Sequence, residues 1–337
     1  MYNNPYHTAD LSQYSFLITG GAGFIGSNLV EYLLKYQARK VRVLDNLSTG
    51  HMRNIQGYLS LPAFEFVHGD IRSYETCQAA AVDMDYVLHQ AALGSVPRSI
   101  VDPLTTHEVN ISGFLNMLMA VKESSVKRMV YAASSSTYGD NTALPKVEDK
   151  IGNPLSPYAV TKYVNELYAN VFAFTYKMEL IGLRYFNVFG PRQDPNGAYA
   201  AVIPKFVNQL LKHQSPVING DGNHSRDFTY IENVVQANML ALFAKEPQAV
   251  NTVYNVAFGE QTSLNLLVQT LKKYLSETDP AIAGIQVIHG HNREGDIPHS
   301  LASIEKARKN LGYSPRYNFS EGLHLAVQWY KNNNGGL

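Results

Sequence analysis

Short apolar runs alternate with amphipathic segments along the first half of the chain. Apolar runs occupy residues 15–19 (S-F-L-I-T) and 41–45 (V-R-V-L-D), and residues 24–36 between them have helical spacing. Further apolar runs follow at residues 64–70, 86–92, 128–134 and 180–187. Strands separated by helices predict an α/β fold built on a doubly wound parallel sheet.

The pattern becomes looser after about Gly190. A turn-rich segment (G-P-R-Q-D-P-N-G-A-Y) leads into further helices and short apolar runs such as T-V-Y-N-V-A, and no Pro/Gly/Ser-rich linker separates the two halves. We therefore predict a large domain over residues 1–190 and a smaller, interleaved lobe over residues 191–337, with parts of the second half crossing back into the first.

The composition favours a globular protein that acts on small molecules. The chain has 337 residues, 45% of them hydrophobic, and its 28 Lys and Arg residues balance its 28 Asp and Glu residues. This balance argues against binding to nucleic acid or to an anionic membrane, and no run of about 18 apolar residues is present. The N-terminus lacks the segments of a signal peptide, which indicates a cytoplasmic protein. Cys77, the only cysteine, is expected to be a packed thiol, and no metal site is predicted.

A glycine-rich turn, T-G-G-A-G-F-I-G, joins the first apolar run to the helix that follows. Gly20, Gly23 and Gly26 allow a tight turn, close approach of a pyrophosphate and helix N–H groups aimed at its charge. Asp45 ends the next strand, 19 residues after Gly26, where a carboxylate accepts both hydroxyls of an adenosine ribose and repels a 2′-phosphate. The motif therefore predicts bound NAD.

Some alternatives stay open around this motif. A glycine-rich turn between a strand and a helix also occurs where no ligand binds. Arg42 and Arg53 lie near Asp45 in the sequence, which keeps NADP as an alternative. Asp70 ends a third predicted strand and is expected either to contact the adenine or to cap a turn.

Tyr158 and Lys162 lie four residues apart in S-P-Y-A-V-T-K, on one face of a predicted helix. An ammonium beside a phenol favours the phenolate, and the positive nicotinamide ring of NAD adds to the effect. We therefore expect the pKa of Tyr158 to fall toward neutrality and this side chain to act as a general base. Ser134 ends a predicted strand and is expected to hydrogen-bond the same substrate oxygen. The plain alternatives are an exposed helix pair and a polar turn.

Taken together, these motifs resemble those of the extended short-chain dehydrogenase/reductase family, which shares T-G-x-x-G-x-x-G, D-N-L-S-T-G, the serine after the strand and Y-x-x-x-K. Within that family the chain is most similar to nucleotide-sugar 4-epimerases of the type acting on UDP-N-acetylglucosamine and UDP-N-acetylgalactosamine. The segments that carry this likeness are H-Q-A-A-L-G-S-V-P-R-S, L-R-Y-F-N-V-F-G-P-R, A-V-I-P-K-F, N-G-D-G, S-R-D-F-T-Y and R-E-G-D. The resemblance covers nearly the whole chain and implies a Rossmann domain over residues 1–190 and a UDP-sugar-binding lobe over residues 191–337.

The resemblance implies two sets of binding residues. Contacts to NAD are implied for Gly20, Gly23, Phe24, Ile25, Asp45, Asn46, Ser48, Thr49, Gly50, Asp70, Ile71, Gln90, Ala91, Tyr158 and Lys162. Contacts to the UDP-sugar are implied for Ser95, Ser134, Ser135, Tyr158, Asn187, Val202, Asn219, Arg226, Arg293, Asp296 and Ser300. A diphosphate needs cationic donors, which suits Arg226 and Arg293, although each is equally able to pair with a neighbouring acid.

The implied reaction is a transient oxidation with no net redox change. Tyr158 takes the proton from the sugar 4-hydroxyl while hydride passes from C4 to NAD, the 4-keto sugar turns over, and hydride returns to its opposite face. In family members restricted to galactose and glucose, a bulky residue, often tyrosine, matches Ser300 and a lysine matches Gly94. The small residues of this chain therefore imply a preference for N-acetylated UDP-hexoses.

Other functions share this scaffold. Nucleotide-sugar 4,6-dehydratases need an acid pair directly after the position of Ser134, where this chain has Ser135 and Ser136. A UDP-glucuronate 4-epimerase or decarboxylase and a UDP-galactose/UDP-glucose 4-epimerase stay as alternatives. A regulatory NAD-sensing protein with a dead site is the alternative from another class, against which the intact Tyr158 and Lys162 argue.

The catalytic helix also predicts a homodimer. An apolar stripe on its far side consists of Val160, Val164, Leu167, Val171 and Phe174. The helix around N-I-S-G-F-L-N-M-L-M-A-V is apolar on more than one face. The alternative is that both helices pack on the protein's own sheet, and pairing within the family favours the dimer.

Overall fold

The computed structural model describes residues 1–195, 200–291 and 298–333. In chain order its strands are β1 (Ser15–Thr19), β2 (Lys40–Asp45), β3 (Phe64–His68), β4 (Tyr86–His89), β5 (Arg128–Ser134), β6 (Leu180–Tyr185), β7 (Val188–Phe189), β8 (Val217–Asn219), β9 (Ser225–Arg226), β10 (Thr229–Tyr230), β11 (Thr252–Val256), β12 (Thr262–Ser263) and β13 (Ile288–Gly290). Seven of them form one parallel sheet in the order β3-β2-β1-β4-β5-β6-β11. The apolar runs predicted as strands are thereby confirmed, and the doubly wound α/β fold with them.

Helices cover both faces of this sheet. In the described residues they are α1 (Phe24–Lys35), α2 (Tyr74–Ala81), α3 (Val96–Val101), α4 (Pro103–His107), α5 (Gly113–Lys122), α6 (Pro157–Tyr176), α7 (Val202–Leu211), α8 (Ile231–Leu242), α9 (Leu264–Ser276), α10 (Glu305–Leu311) and α11 (Phe319–Asn333). A π-helical turn, Glu108–Ser112, precedes α5.

The strands are apolar along their whole length because both sides of the sheet are covered. In β1, Phe16 and Ile18 face the core beneath α1 and α8, whereas Leu17 faces the core beneath α2, α5 and α6. Successive residues of a strand point to opposite faces, so one short run contributes to both cores.

The second half of the chain returns to this sheet. The run T-V-Y-N-V-A forms β11, which pairs with β6 at the edge of the sheet, and α8 packs on α1. Three short two-stranded pairs, β7 with β10, β8 with β13 and β9 with β12, lie outside the large sheet. The division at residue 190 stays a prediction, and the crossings that it included are present.

The two helices expected at a dimer interface differ in exposure. Phe114, Met117 and Leu118 of α5 are buried in the core beneath the sheet, so for this helix the alternative of packing on the protein's own sheet is correct. In α6, by contrast, Leu167 is 47% exposed and Phe174 is 79% exposed. The apolar stripe of α6 therefore faces away from the sheet.

Three further features bear on function. Cys77 is confirmed as a packed thiol, since it is fully buried and its Sγ donates to the carbonyl of Ile71 at 3.3 Å. Within the described ranges, no helix combines the length and the apolarity needed to cross a membrane. The same part of the chain contains no group of three or more His, Cys, Asp or Glu side chains placed to hold a metal ion.

The turn after β1 depends on glycine at two positions. Gly20 has a φ of +69°, and an added Cβ would lie 2.7 Å from the backbone nitrogen of Ala91, which follows β4. A Cβ on Gly26 would lie 2.1 Å from the carbonyl oxygen of Gly20. These contacts hold β1, α1 and the end of β4 closer together than any side chain would allow.

We expect Gly20→Ala to destabilise the protein by about 2–5 kcal/mol. A left-handed conformation costs a non-glycine residue about 1–2 kcal/mol, and overlap with fixed backbone adds about 1–3 kcal/mol. Urea unfolding followed by circular dichroism measures the change. Gly57→Ala is the matched control, because no atom lies within 4 Å of its added Cβ. Equal unfolding midpoints for the two variants would contradict this account of the turn.

Candidate active site

A deep cleft of about 590 Å³ runs along the carboxyl ends of the central strands. All residues predicted to contact NAD line it: Gly20, Gly23, Phe24, Ile25, Asp45, Asn46, Ser48, Thr49, Gly50, Asp70, Ile71, Gln90, Ala91, Tyr158 and Lys162. Ser134 and Asn187, predicted to contact the substrate, line the same cleft. Segments far apart in the sequence thus meet along one continuous surface.

The N-terminus of α1 opens into this cleft. Gly23 precedes the helix and offers no side chain to cap its free N–H groups, and Phe24 and Ile25 of the first turn line the cleft. Uncapped N–H groups and the positive end of the helix dipole form an anion site suited to a pyrophosphate. The residues present therefore fit a dinucleotide at this position.

Asp45 lies at the end of β2, next to the glycine turn. Its carboxylate accepts the backbone N–H of Ala22 at 2.9 Å and that of Leu47 at 2.8 Å. Burial raises the pKa of Asp45, and these two hydrogen bonds oppose the rise. The carboxylate is thereby fixed at the place where the ribose of NAD is expected.

Arg42 and Arg53, which left NADP as an alternative cofactor, lie away from the cleft. Arg42 donates to the carboxylate of Glu65 at 2.9 Å and to the carbonyls of Ala80 and Val82 at 2.8 Å. Arg53 lines a separate cavity of about 420 Å³. Neither of them lines the cleft beside Asp45, which favours a ribose with a free 2′-hydroxyl.

Asp70 caps the turn after β3 and also lines the cleft, while its contact with the adenine stays a prediction. Its carboxylate accepts the backbone N–H of Arg72 at 2.9 Å, which caps the turn, and also accepts Asn46 Nδ2 at 2.8 Å on the cleft side. The Arg72 guanidinium lowers the pKa of Asp70 to about 2. A charged carboxylate therefore stands at the adenosine end of the cleft.

Tyr158 and Lys162 lie on the side of α6 that faces the cleft. The helix begins after Ser156, whose Oγ accepts the N–H of Ala159 at 3.1 Å, and Pro157 occupies its first position. Lys162 is 2% exposed, and its Nζ donates to the carbonyl of Ala132 in β5 at 2.8 Å. Nζ lies 6.0 Å from the centre of the Tyr158 ring, so the charge is close to the phenol.

The protein by itself does not lower the pKa of Tyr158, which corrects one expectation. Burial raises this pKa, and a hydrogen bond with Ser134 lowers it in part. Burial lowers the pKa of Lys162 to about 8, and the charge of Glu166 opposes that shift. The charged phenolate would lose its hydration at this buried site, and the Lys162 ammonium, 6.0 Å from the ring centre, does not make up for that loss.

Ser134 is oriented by the turn that follows β5. Its Oγ accepts the N–H of Ser136 at 3.1 Å and the hydroxyl of Ser136 at 2.9 Å. These two bonds leave the Ser134 hydroxyl proton available toward Tyr158 and the cleft. Ser135 is partly buried in the same turn and is not one of the cleft-lining residues. The polar turn expected at this position is present, and it holds Ser134 in the cleft.

The predicted substrate residues are divided between two places. Asn187, in the cleft, has a φ of +34° and donates through Nδ2 to the carbonyl of Asp227 at 3.0 Å. Ser95 precedes α3 and accepts the N–H of Arg98 at 3.2 Å, and Val202 begins α7. Neither Ser95 nor Val202 is among the cleft-lining residues, although both adjoin one in sequence.

A second cavity of about 570 Å³ lies in the smaller lobe. It is lined by Gly220, Asp221, Asn223, His224, Gly290, His291, Pro298 and His299. Asn219 ends β8 beside it, and Arg226 donates from a guanidinium nitrogen to the carbonyl of Pro298 at 3.2 Å. Arg293 and Asp296 lie outside the described residues.

Ser300 does not cap a helix. Its backbone N–H donates to the carbonyl of Ser225 at 3.0 Å, and the next helix, α10, begins only at Glu305 after Ile304. Ser300 is not among the residues lining either cavity. Ser300 follows His299, which lines the second cavity, and its backbone is bonded to β9, the strand that contains Arg226.

Several cleft residues were absent from the sequence prediction. Tyr185 lines the cleft, donates to Gln90 Oε1 at 3.2 Å and accepts Asn238 Nδ2 at 3.0 Å. Arg98 of α3 also lines it. Both lie inside motifs that carried the resemblance, which was the available signal. Oδ2 of Asp194 lies 3.0 Å from Nε2 of His51. These residues are distant in the sequence, and no local pattern predicts their contact.

Comparison with known proteins agrees with this site. Residues 16–257 match the NAD dependent epimerase/dehydratase family. The chain is 34% identical to a UDP-glucose 4-epimerase of Mycolicibacterium smegmatis, over 94% of this chain and 98% of that protein.

Two solved structures are similar over nearly their whole length. A UDP-N-acetylglucosamine 4-epimerase from Methanobrevibacter ruminantium M1, in complex with UDP-N-acetylmuramic acid, is 38% identical, with a TM-score of 0.88 over 95% of this chain and 99% of that one. A UDP-glucuronic acid 4-epimerase from Bacillus cereus, in complex with UDP-glucuronic acid and NAD, is 30% identical, with a TM-score of 0.85 over 94% and 99%. The chain thus belongs to the NAD dependent epimerase/dehydratase family, and NAD is its cofactor.

Proposed function

We propose that this protein interconverts UDP-N-acetylglucosamine and UDP-N-acetylgalactosamine by epimerisation at C4 of the sugar. The observation that carries the proposal is a single cleft in which Ser134, Tyr158 and Lys162 lie beside the dinucleotide turn. The similar epimerase from Methanobrevibacter ruminantium supports the choice of substrate.

The catalytic side chains have distinct roles in this reaction. Tyr158 accepts the proton of the sugar 4-hydroxyl as a general base, and Ser134, hydrogen-bonded to the same phenol, holds the substrate oxygen. Lys162, with a pKa of about 8, is protonated at neutral pH and stabilises the phenolate. NAD, held by the glycine turn and Asp45, would supply the hydride acceptor and donor for the sugar carbon.

The preference for N-acetylated sugars rests on space beside the cleft. Gly94 lines the cleft, and a Cβ added to it would meet no atom within 4 Å. Ser300 follows His299 of the second cavity, and the resemblance implies that a bulky residue at this position narrows the sugar pocket. An acetamido group needs such room in both orientations of the rotating sugar. The UDP group is assigned to the smaller lobe, where Asn219 and Arg226 lie.

The rival functions are less well supported. A 4,6-dehydratase needs acids where Ser135 and Ser136 stand. An NAD-sensing regulator does not need the buried Lys162 beside Tyr158. The UDP-glucuronate and UDP-galactose reactions differ only in the sugar substituent, and a panel of UDP-sugars with chromatography of the products distinguishes them from the proposed substrate.

We expect Tyr158→Phe to lower kcat by at least about 100-fold, because the variant loses the phenolic oxygen that is proposed to accept the proton. Product formation from UDP-N-acetylglucosamine measures the rate, and NAD released on denaturation measures the bound cofactor, which should not change. Tyr163→Phe, one turn further along the same helix, is the control and should keep its rate. A fully active Tyr158→Phe would refute the mechanism.

We expect Ser300→Tyr to lower kcat/KM for UDP-N-acetylgalactosamine relative to UDP-galactose by about tenfold or more, because steric overlap excludes the larger sugar. Ser300→Ala, which removes the hydroxyl without adding bulk, should leave this ratio unchanged. An unchanged ratio in a folded, active Ser300→Tyr variant would show that another residue sets the preference.

The exposed apolar stripe of α6 is proposed as a homodimer interface. It continues onto the neighbouring helices α3 and α4, where Val101 is 75% exposed and Leu104 is 76% exposed. A contiguous apolar patch on a soluble protein marks a binding surface. A second copy of the chain is the proposed partner, because a two-fold axis through the patch buries the same residues on both subunits.

Light scattering at micromolar concentration should report a dimer for the natural chain and a monomer for Phe174→Glu, since the new charge would be buried without a partner. Leu266→Glu is the control, because Leu266 is an apolar residue on α9, away from the patch, and its side chain is 48% exposed. A monomeric natural chain, or a Phe174→Glu variant that stays dimeric, would remove this interface.

A further inference from the structure

Glu166 extends the row formed by Tyr158 and Lys162 on α6. The three residues follow one another at intervals of four, so they share one face of the helix. Glu166 is 4% exposed, as deeply buried as Lys162. A buried carboxylate one turn from a buried ammonium is costly to maintain and calls for an explanation.

Arg184 of β6 holds this carboxylate in place. Its Nε donates to Glu166 Oε1 at 2.9 Å, and a terminal nitrogen donates to Oε2 at 2.7 Å. The other terminal nitrogen donates to the carbonyl of Glu148 at 2.9 Å, and the guanidinium lies 4.9 Å from the centre of the Tyr138 ring. Glu166 is thus oriented by a two-pronged ion pair and makes no direct ion pair with Lys162, whose Nζ bonds to Ala132.

Few other charges surround Lys162 in the described part of the chain. Burial and the Lys162 charge lower the pKa of His89 on β4 to about 3, so this ring is neutral. Burial raises the pKa of Tyr131 on β5 and that of Tyr138 in the following turn, so both phenols are neutral. The carboxylate of Glu148 accepts the N–H of Asn255 at 2.9 Å. Glu166 is the anion that opposes the burial of Lys162.

We propose that Glu166, oriented by Arg184, is a positioning residue that keeps the Lys162 ammonium charged and so supports ionisation of Tyr158. Arg184 keeps the carboxylate from pairing directly with Lys162, whose donors stay available to the Ala132 carbonyl and to the cofactor. The inference rests on the proposed function in that Tyr158 is the base of the reaction.

The test compares Glu166→Gln with the natural holoenzyme. Loss of the carboxylate, together with the now uncompensated Arg184, lowers the pKa of Lys162, and a neutral lysine raises that of Tyr158. The alkaline limb of the kcat–pH profile should therefore move down by about one pH unit, and the acid limb should move up by a similar amount. Relative to the natural enzyme, the rates fall most above pH 8, because Lys162 of the variant has already lost its proton there.

A second readout does not require turnover. Competitive labelling of Lys162 with trace acetic anhydride, followed by mass spectrometry across a pH series, reports the titration of this amine directly. It should shift downward by about one pH unit in Glu166→Gln. A natural chain that turns over no UDP-sugar would refute the proposed function, whereas the labelling result would still decide the role of Glu166.

Glu179→Gln is the matched control. Glu179 forms a second two-pronged pair with Arg128 at the opposite end of β5, at 2.9 and 2.6 Å, and this pair lies six residues, or about 20 Å, from Ser134. Glu179→Gln should leave the labelling curve of Lys162 and both limbs of the kcat–pH profile unchanged.

If Glu166→Gln loses bound NAD or its native circular dichroism spectrum, a second variant tests the proposal in its place. The double variant Glu166→Gln, Arg184→Met removes both charges, and a downward shift of the Lys162 pKa is still expected in it, smaller than in the single variant because the uncompensated Arg184 charge is gone. A folded single or double variant with an unchanged Lys162 titration would show that the pair is only structural and would overturn the proposal.

Discussion

The parallel direction of the seven central strands is the constraint on which the rest of the structure depends. Parallel strands bring their carboxyl ends to one edge, so residues that follow different strands meet there. The glycine turn after β1, Asp45 at the end of β2 and Ser134 at the end of β5 consequently share one cleft. The turn lies against the end of β4 at a distance that only glycine allows at position 20.

Burial of charge shapes the catalytic end of this cleft. Lys162 donates to the carbonyl of Ala132 and lies on the face of α6 that the sheet covers. Its burial there lowers its pKa. The carboxylate of Glu166, which is paired with Arg184, offsets part of this lowering of the Lys162 pKa. A lysine with a pKa of about 8 still carries charge at neutral pH while remaining close enough to Tyr158 to act on it.

The smaller lobe is joined to the cleft through Asp227. Its buried carboxylate accepts the backbone N–H groups of Gly259 at 3.2 Å and Ala302 at 3.1 Å, and its carbonyl accepts Asn187. Burial raises its pKa to about 7. One residue thus connects a cleft side chain to the segment that carries Ser300.

The sequence by itself determined the strands, the glycine turn, Asp45 and the shared face of Tyr158 and Lys162, because these depend on spacing within short segments. Tertiary structure decided the rest. It assigned the run T-V-Y-N-V-A to the edge of the large sheet and buried the apolar faces of α5 while exposing the stripe of α6, although both helices have apolar patterns. It also decided the direction of the pKa of Tyr158. A residue is buried by segments that are distant along the chain, and the local pattern of apolar residues does not show which distant segments will pack against it.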